Sequence, residues 1–433
     1  MTAEELAPSR RAALAADRVA RDLARWAGSR KLTPVTMAGI SVAFAVIAAV
    51  WLTGGSARAE AIAFAALLAA YTVGRAGHLM GERVSPATEW ARAACGSLTE
   101  FVVYAGIAGG ASLGAAARAD AGLTGPVGSR LRGSWLASFE GASWEGVWRL
   151  AVAAVIVLAV VQMAALCRPV IPGEAAARQG WFSDLTVSAG GGRLLLAGAV
   201  VLLAGARVTF LLLIVLGLLG LGAIIGSRSR SAWPRVLGYR GDGPVSVWIG
   251  RHVDGRLPAL PPLIVGLLVT GMLVALGLQN LPGILAITPV EAMLLASLAS
   301  WHPHHGPRDW LAPPLLVAGE CVFIAALGFA GRVPPPATFA LVAAVALHHL
   351  DLAYRARNEL VPSETGPLVR EEGQLPYSDR SGFGWDGRLI ITGIAAWGVV
   401  SPVIYPLLAL YLWGLLGQDW LEGWSARHAA VNG

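Results

Sequence analysis

Ionisable side chains cluster at the ends of apolar stretches in the C-terminal half of the chain. Asp351 and Arg355 stand four residues apart, so a helix would place them on one face, with His348 one turn before Asp351. A histidine and a carboxylate suit proton transfer or metal ligation, and an arginine suits a phosphate. Asp386 and Arg388 follow in the sequence GWDGR. The pattern predicts a site in which Asp351, His348 and Asp386 are catalytic.

Two glutamates are expected inside the membrane near this group. Glu291 precedes Trp301 by ten residues and Glu320 follows Asp309 by eleven, so each lies about 15 Å from the intervening turn. Ionisable side chains within a membrane are costly and point to function. The predicted substrate-binding residues are Arg355, Arg388, Arg308, Tyr354, Glu291 and Glu320. Further candidates at the same membrane face are His302, His304, His305, His349 and Arg357.

These residues also have a structural interpretation. Asp351 and Arg355 fit an ion pair within one helix, and Asp386 and Arg388 fit a turn followed by a positively charged membrane anchor. The histidines of the sequence HPHH lack a standard zinc spacing. The sequence leaves both interpretations open, and the metal remains unknown.

The elements that must position these residues are membrane helices. Hydrophobic residues make up 55% of the 433 residues, and charged residues make up 14%, against about 25% in a soluble domain. The mean hydropathy is +0.61. These values exclude a disordered chain, a collagen-like fibre and an ordinary soluble enzyme, and they favour a polytopic membrane protein. The three cysteines lie too far apart for a metal-ligand pattern or a disulfide framework.

The apolar pattern predicts an all-α fold with about twelve transmembrane helices in two six-helix halves. The stretches 194–226 and 388–417 are too long for single crossings, so we split them near Gly205–Arg207 and Pro402–Pro406. Residues 9–31 interleave arginines with apolar residues and predict an interfacial amphipathic helix. The predicted spans are 33–55, 59–74, 98–117, 148–167, 194–206, 208–226, 260–278, 281–301, 310–331, 335–354, 388–402 and 403–417.

Basic residues predict the orientation of these spans. With both termini in the cytoplasm, 26 basic residues fall on the cytoplasmic side and 7 outside, as the positive-inside rule requires. We therefore expect a multi-pass protein of the inner (cytoplasmic) membrane. The predicted organisation is an interfacial helix (1–32), a six-helix domain (33–227), a cytoplasmic linker (228–258), a second six-helix domain (259–420) and a tail (421–433).

Several short motifs lie along residues 9–226. They are the amphipathic helix before Thr33-Pro34-x-Thr36, then Ser85-Pro86, Glu100-Phe101, Gly191-Gly192-Arg193 and Arg207-Val208-Thr209-Phe210. In these motifs the N-terminal half resembles the CDP-alcohol phosphotransferase family. The resemblance implies a six-helix membrane fold that dimerises. It also implies transfer of a phosphoalcohol from a CDP-linked donor, with motif aspartates that hold Mg²⁺ or Mn²⁺.

The motif aspartates of that family are missing here. In the register set by Ser85-Pro86, their positions hold Tyr71, Gly74, Arg92 and Gly96. The resemblance therefore supports the scaffold but not metal-dependent chemistry in this half. Mg²⁺ or Mn²⁺ is expected only if the C-terminal site is catalytic.

The C-terminal half resembles an actinobacterial membrane domain of unknown function that is often fused behind that family. The resemblance rests on GYRGDGPVSVWIGR (238–251), HPHHGPRDWLAPPLL (302–316), HHLDLAYRAR (348–357) and GWDGR (384–388). It implies no particular activity.

Three functions from different classes remain open, and so does the question of whether the chain is an enzyme. The first is a membrane-bound transferase of lipid or glycolipid head-group metabolism. It would act on phosphoalcohol, membrane-lipid or polyprenyl-linked substrates and use the degenerate half as a scaffold. The second is a non-catalytic paralogue, a pseudoenzyme, that pairs with an active CDP-alcohol phosphotransferase. The third is a transporter of a lipid-linked substrate. We expect a homodimer, or a heterodimer with a related phosphotransferase. We expect no nucleic-acid partner.

Overall fold

A computed structural model describes thirteen ranges of the chain, and within them the backbone is helical with no β-strand. The predicted all-α class is therefore confirmed for this part of the protein. The described residues are 7–54, 56–80, 86–120, 144–167, 192–226, 242–253, 260–279, 284, 288, 297, 309–359, 383–397 and 400–432.

Thirteen α-helices have defined bounds in these ranges, and a short 3₁₀ turn (Asp309–Leu311) leads into the tenth. The first seven are α1 (Ala7–Ser29), α2 (Pro34–Leu52), α3 (Ala57–Leu79), α4 (Pro86–Asp120), α5 (Trp144–Cys167), α6 (Gly192–Ala204) and α7 (Ala206–Gly226). The other six are α8 (Pro244–Val253), α9 (Leu260–Gln279), α10 (Ala312–Ala330), α11 (Pro335–Glu359), α12 (Gly384–Trp397) and α13 (Ser401–Asn432).

The chain divides into two compact units. The first unit comprises Met1–Ala154 and Ala177–Gly220, and the second comprises Val155–Ala176 and Leu221–Gly433. In the first unit α2 packs against α3 and α4, and α3 also contacts α1 and α6. In the second unit α10 contacts α9, α11 and α12, while α13 packs on α11.

Six helices of the described part are long and apolar enough to cross a bilayer, which suggests a membrane protein as the composition predicts. They lie at Pro34–Leu52, Arg58–Leu79, Gly146–Cys167, Ala206–Gly226, Ala312–Ala330 and Pro335–Arg355. Two further apolar helices, α6 and α9, are shorter. Most of the expected span 281–301 lies outside the described residues. The count of twelve spans and the two six-helix halves stay predictions.

Both long apolar stretches contain a helix break. Gly205, with φ of 88°, separates α6 from α7, so a helix break lies where the first split is predicted. In the second stretch Val400 is not helical and α13 begins at Ser401, so the break lies before Pro402 rather than between Pro402 and Pro406. Proline is tolerated in the first turn of a helix because its missing N–H has no helical partner there.

Close packing of α4 on α2 depends on two glycines. A Cβ atom at Gly106 would lie 2.5 Å from the Cα atom of Ala49, and one at Gly110 would overlap the Leu52 carbonyl. Glycines four residues apart let helix backbones approach closely, a common device in membrane proteins. Gly109, between them, is less constrained because its Cβ atom would lie 3.8 Å from Thr53 Cγ2.

Gly106→Ala is expected to lower the free energy of unfolding by about 1–3 kcal/mol, because the added methyl group must displace the α2 backbone. Gly109→Ala is the matched control, since it gains the same helix propensity without the steric conflict. Thermal unfolding of the detergent-solubilised protein measures both variants. Equal Tm changes in the two variants would contradict this account of α2–α4 packing.

Candidate functional site

Three ionisable side chains from three helices meet in the interior of the second unit. Glu320 of α10, His349 of α11 and Arg388 of α12 are each at most 3% exposed. The carboxylate of Glu320 accepts from Arg388 Nε at 2.5 Å and from Arg388 Nη2 at 3.2 Å. His349 Nε2 lies 2.6 Å from Glu320 Oε2. We call these three residues the buried triad.

The protonation of His349 follows from its two neighbours. Nε2 lies between Glu320 Oε2 and Arg388 Nη2, the latter at 3.1 Å. A guanidinium nitrogen only donates, and a carboxylate bound to arginine is ionised and only accepts. A proton on Nε2 suits the shorter contact, to Glu320, and leaves the contact with Arg388 Nη2 without a hydrogen bond. We assign that tautomer from the hydrogen-bond network. In this state Glu320 orients the imidazole ring as the third member of a catalytic triad does.

The buried triad lies close to three helix ends, namely the starts of α10 and α12 and the end of α11. Glu320 is eight residues after the start of α10, and Arg388 is four after the start of α12. His349 lies ten residues before the end of α11. At ~1.5 Å per residue, the triad lies about 6–15 Å along each helix from that end. The sequence predicted that these chain segments meet, and the structure joins Glu320 to Arg388 there.

A small, mostly apolar cavity reaches the Glu320 carboxylate. Its volume is about 30 Å³, which is enough for one or two water molecules. Side chains of α9, α10 and α12 line it, among them Leu263, Thr270, Phe323 and Trp385. A proton or a water molecule therefore fits beside Glu320 in this conformation, whereas a lipid head group does not.

The other predicted residues of α11 form a separate group. Arg355 Nε lies 2.9 Å from Asp351 Oδ2, within one helix face. This is the ion pair that one interpretation of the sequence expected. Asp351 stands about 200° around the helix from His349, so it does not join the buried triad. His348 is also buried, and Tyr354 is half-buried.

Asp386 caps a neighbouring helix. Its Oδ2 atom accepts a hydrogen bond from the backbone N–H of Ser246 at 2.8 Å, in the first turn of α8. Its Oδ1 atom accepts from the N–H of Gly387 at 2.9 Å. The residue before α8 is Gly243, which has no side chain to cap the helix, and Asp386 supplies the missing acceptor. The geometry thus supports the turn interpretation of Asp386, while Arg388 belongs to the triad.

A second hydrogen bond joins the start of α12 to the segment before α8. Trp385 Nε1 donates to Asp242 Oδ1 at 2.8 Å, and both side chains are buried. Gly384 has φ of 67°, and a side chain there would run into the backbone of Gly243. Because both positions are glycine, the backbones at Gly243 and Gly384 can approach closely.

Several predicted site residues lie outside the described residues. They are Glu291 and Arg308 of the predicted substrate-binding set, and His302, His304 and His305 of the wider group. The side chain of Arg357 is likewise outside the description.

The first unit has a buried ion pair of its own. Arg193 of α6 donates to both carboxylate oxygens of Glu100 on α4 at 3.0 Å, and both side chains are fully buried. The four positions that the family resemblance would assign to aspartates lie on α3 (Tyr71, Gly74) and α4 (Arg92, Gly96), and none of them carries a carboxylate.

These first-unit residues do not fit the divalent metal that the family resemblance implies. The carboxylate of Glu100 is bound bidentately by Arg193. The described residues contain no group of three or more histidine, cysteine, aspartate or glutamate side chains placed to hold a metal ion.

Comparison with known proteins gives one match. Residues 235–406 match a family of unknown function (DUF5941). The match spans α8 to α12 and the start of α13, and it contains the whole buried triad. No curated protein and no solved structure matches the chain.

Sequence reasoning ranked His348 above His349 and missed Asp242 and Trp385. One available signal was the depth of Glu320 within an apolar helix, because a buried carboxylate needs a partner of opposite charge. Arg388 was the predicted residue best placed to supply it, since it lies near the start of the next apolar stretch.

Asp386→Ala is expected to destabilise the protein by about 1–3 kcal/mol, because the buried N–H of Ser246 loses its acceptor. Asp386→Asn is expected to be less destabilising, since its amide oxygen replaces one of the two acceptors. Thermal unfolding of both variants measures this order. A direct catalytic role for Asp386 would instead show as lost turnover in Asp386→Asn with an unchanged Tm.

Proposed function

We propose that this protein acts in lipid or glycolipid head-group metabolism in the membrane, and that the buried triad is its working site. The observation that carries the proposal is the meeting of Glu320, His349 and Arg388 between apolar helices. Burying three ionisable groups costs several kcal/mol, and such groups within membrane helices mark functional sites by default.

The proposed orientation places this site within reach of lipid head groups. With both termini in the cytoplasm of an inner-membrane protein, the starts of α10 and α12 and the end of α11 lie at the cytoplasmic face. The triad is then about 6–15 Å below those helix ends. A bilayer has a hydrocarbon core of about 30 Å within a total of about 40–45 Å. The triad thus lies near the boundary between head groups and acyl chains.

The proposed chemistry is transfer of a phosphoalcohol from a CDP-linked donor to an acceptor hydroxyl. The acceptor oxygen forms a bond to phosphorus, the bond between that phosphorus and the CMP oxygen breaks, and CMP leaves. His349 accepts the hydroxyl proton as general base, and Glu320 stabilises the imidazolium that forms. Arg388 donates two hydrogen bonds to the Glu320 carboxylate, so it is a positioning residue rather than a phosphate ligand. Substrate entry requires the helices around the small cavity to separate.

The first unit serves as a scaffold in this proposal. Its motif positions lack the carboxylates for a metal-dependent reaction, and Glu100 is paired with Arg193. This same observation favours a second candidate function, in which the chain is a non-catalytic partner of an active CDP-alcohol phosphotransferase. A dimer, with a second copy or with that partner, is part of both proposals.

Nucleotide release tests the proposal. The purified chain in lipid nanodiscs is given CDP-diacylglycerol or a CDP-polyol, Mg²⁺ or Mn²⁺ and a panel of acceptor alcohols, and CMP is followed. His349→Gln is expected to lower turnover about 100-fold or more, the usual contribution of a general base. Arg92→Ala is expected to leave turnover unchanged, because Arg92 lies at a degenerate motif position.

The matched control is His252→Gln, which changes an exposed histidine of α8 in the same unit. It is expected to retain wild-type turnover. Tm measurements identify any variant that fails to fold. His349→Asn is a second variant that lacks the imidazole. Absence of CMP release from every donor by the folded wild-type chain would overturn the catalytic proposal. Co-purification with an active phosphotransferase would then support the non-catalytic function.

A further inference from the structure

The N-terminal helix α1 has a face that is buried in the first unit. Ala20 and Ala27 are at most 1% exposed. Leu23 and Ala24 pack against the core cluster of the first unit, which includes Val73 of α3. α1 is therefore held against the C-terminal part of α3 rather than detached from the helices.

A second face of α1 is apolar and exposed. Val19 is 58% exposed and Trp26 is 52% exposed. Seven residues apart, they lie on the same side of the helix. Exposed apolar residues beside arginines are typical of a helix that lies in the membrane interface.

The third face of α1 is basic and borders a cavity. Arg18, Arg21 and Arg25 line it together with Asp22 and, from the end of α3, Leu79 and Met80. The cavity has a volume of about 640 Å³, within the ~300–1,000 Å³ usual for small-ligand sites. We call this cavity the basic groove. Helix geometry places Val19 and Trp26 about 80–100° around α1 from Arg18.

The charge balance of the basic groove favours an anion. Among the described residues that line the groove, three arginines against one aspartate leave an excess of two positive charges. The carbonyl end of α3 offsets this by about half a negative charge. The pair between Arg25 Nη2 and Asp22 Oδ1, at 2.6 Å, involves side chains that are 82% and 67% exposed. Such exposed pairs contribute little, so a phosphate can replace Asp22 as the partner of Arg25.

We infer that the basic groove binds the phosphate of an anionic phospholipid. Guanidinium groups bind phosphate oxygens through paired hydrogen bonds, which a lysine cannot reproduce. The neighbouring exposed residues Val19 and Trp26 favour a lipid over a free phosphate, because they meet acyl chains while the arginines meet the head group. This inference concerns the first unit and does not depend on the proposed function of the second.

Lipid titration of the full-length protein tests the inference. The chain in neutral detergent is titrated with dioctanoyl phosphatidic acid, and binding is followed by thermophoresis. Saturable binding of about one lipid per chain is expected. The double variant Arg18→Gln/Arg21→Gln is expected to weaken the Kd at least tenfold. The matched control, Arg30→Gln/Arg58→Gln, removes the same two charges at exposed positions outside the groove and is expected to change the Kd less than twofold.

Further probes separate the ligand sources. Dioctanoyl phosphatidylcholine, glycerol 3-phosphate and inorganic phosphate are each expected to bind at least tenfold more weakly than dioctanoyl phosphatidic acid. Equal loss of affinity in the control double variant would overturn the inference in favour of non-specific charge attraction. Equal affinity for phosphatidylcholine or for inorganic phosphate would also overturn it. Tm values confirm that both double variants remain folded, and their CMP release reports separately on the second unit.

Discussion

The Glu320 carboxylate is the group on which the arrangement of the second unit depends. An ionised carboxylate among apolar side chains is strongly unfavourable unless a cation and further hydrogen bonds satisfy it. Arg388 and His349 meet this requirement from two other helices. The axial register of α10, α11 and α12 is therefore restricted to arrangements in which all three side chains touch.

The five residues GWDGR, which span little more than one helical turn, set much of this axial register. Trp385 and Asp386 bind the segment that begins α8, through Asp242 and the N–H of Ser246. Arg388, two residues later, points to Glu320 instead. Successive residues of a helix point about 100° apart, so neighbouring positions contact different elements. The start of α12 is thus positioned from two sides.

How much the sequence could predict depends on whether the signal was local. The helices and the break at Gly205 follow from composition and chain length, which are local properties. The pairing within the triad is not local, because Arg388 resembles any positive membrane anchor until α10 is placed beside it. To choose between His348 and His349 one must know how α11 is rotated about its own axis. Residues 341–353 of that helix are buried all round, so hydrophobic periodicity gave no face to distinguish them.

Both units contain a buried arginine–carboxylate pair, and in the second unit a histidine joins that pair. In the first unit Arg193, near the start of α6, binds Glu100 in a closed bidentate pair. In the second unit Arg388, near the start of α12, binds Glu320, and His349 joins the pair. A guanidinium nitrogen only donates and a carboxylate oxygen only accepts, whereas the two ring nitrogens of an imidazole can between them donate and accept a proton. The histidine is therefore the physical reason why we propose proton chemistry for the second unit and a structural role for the pair in the first.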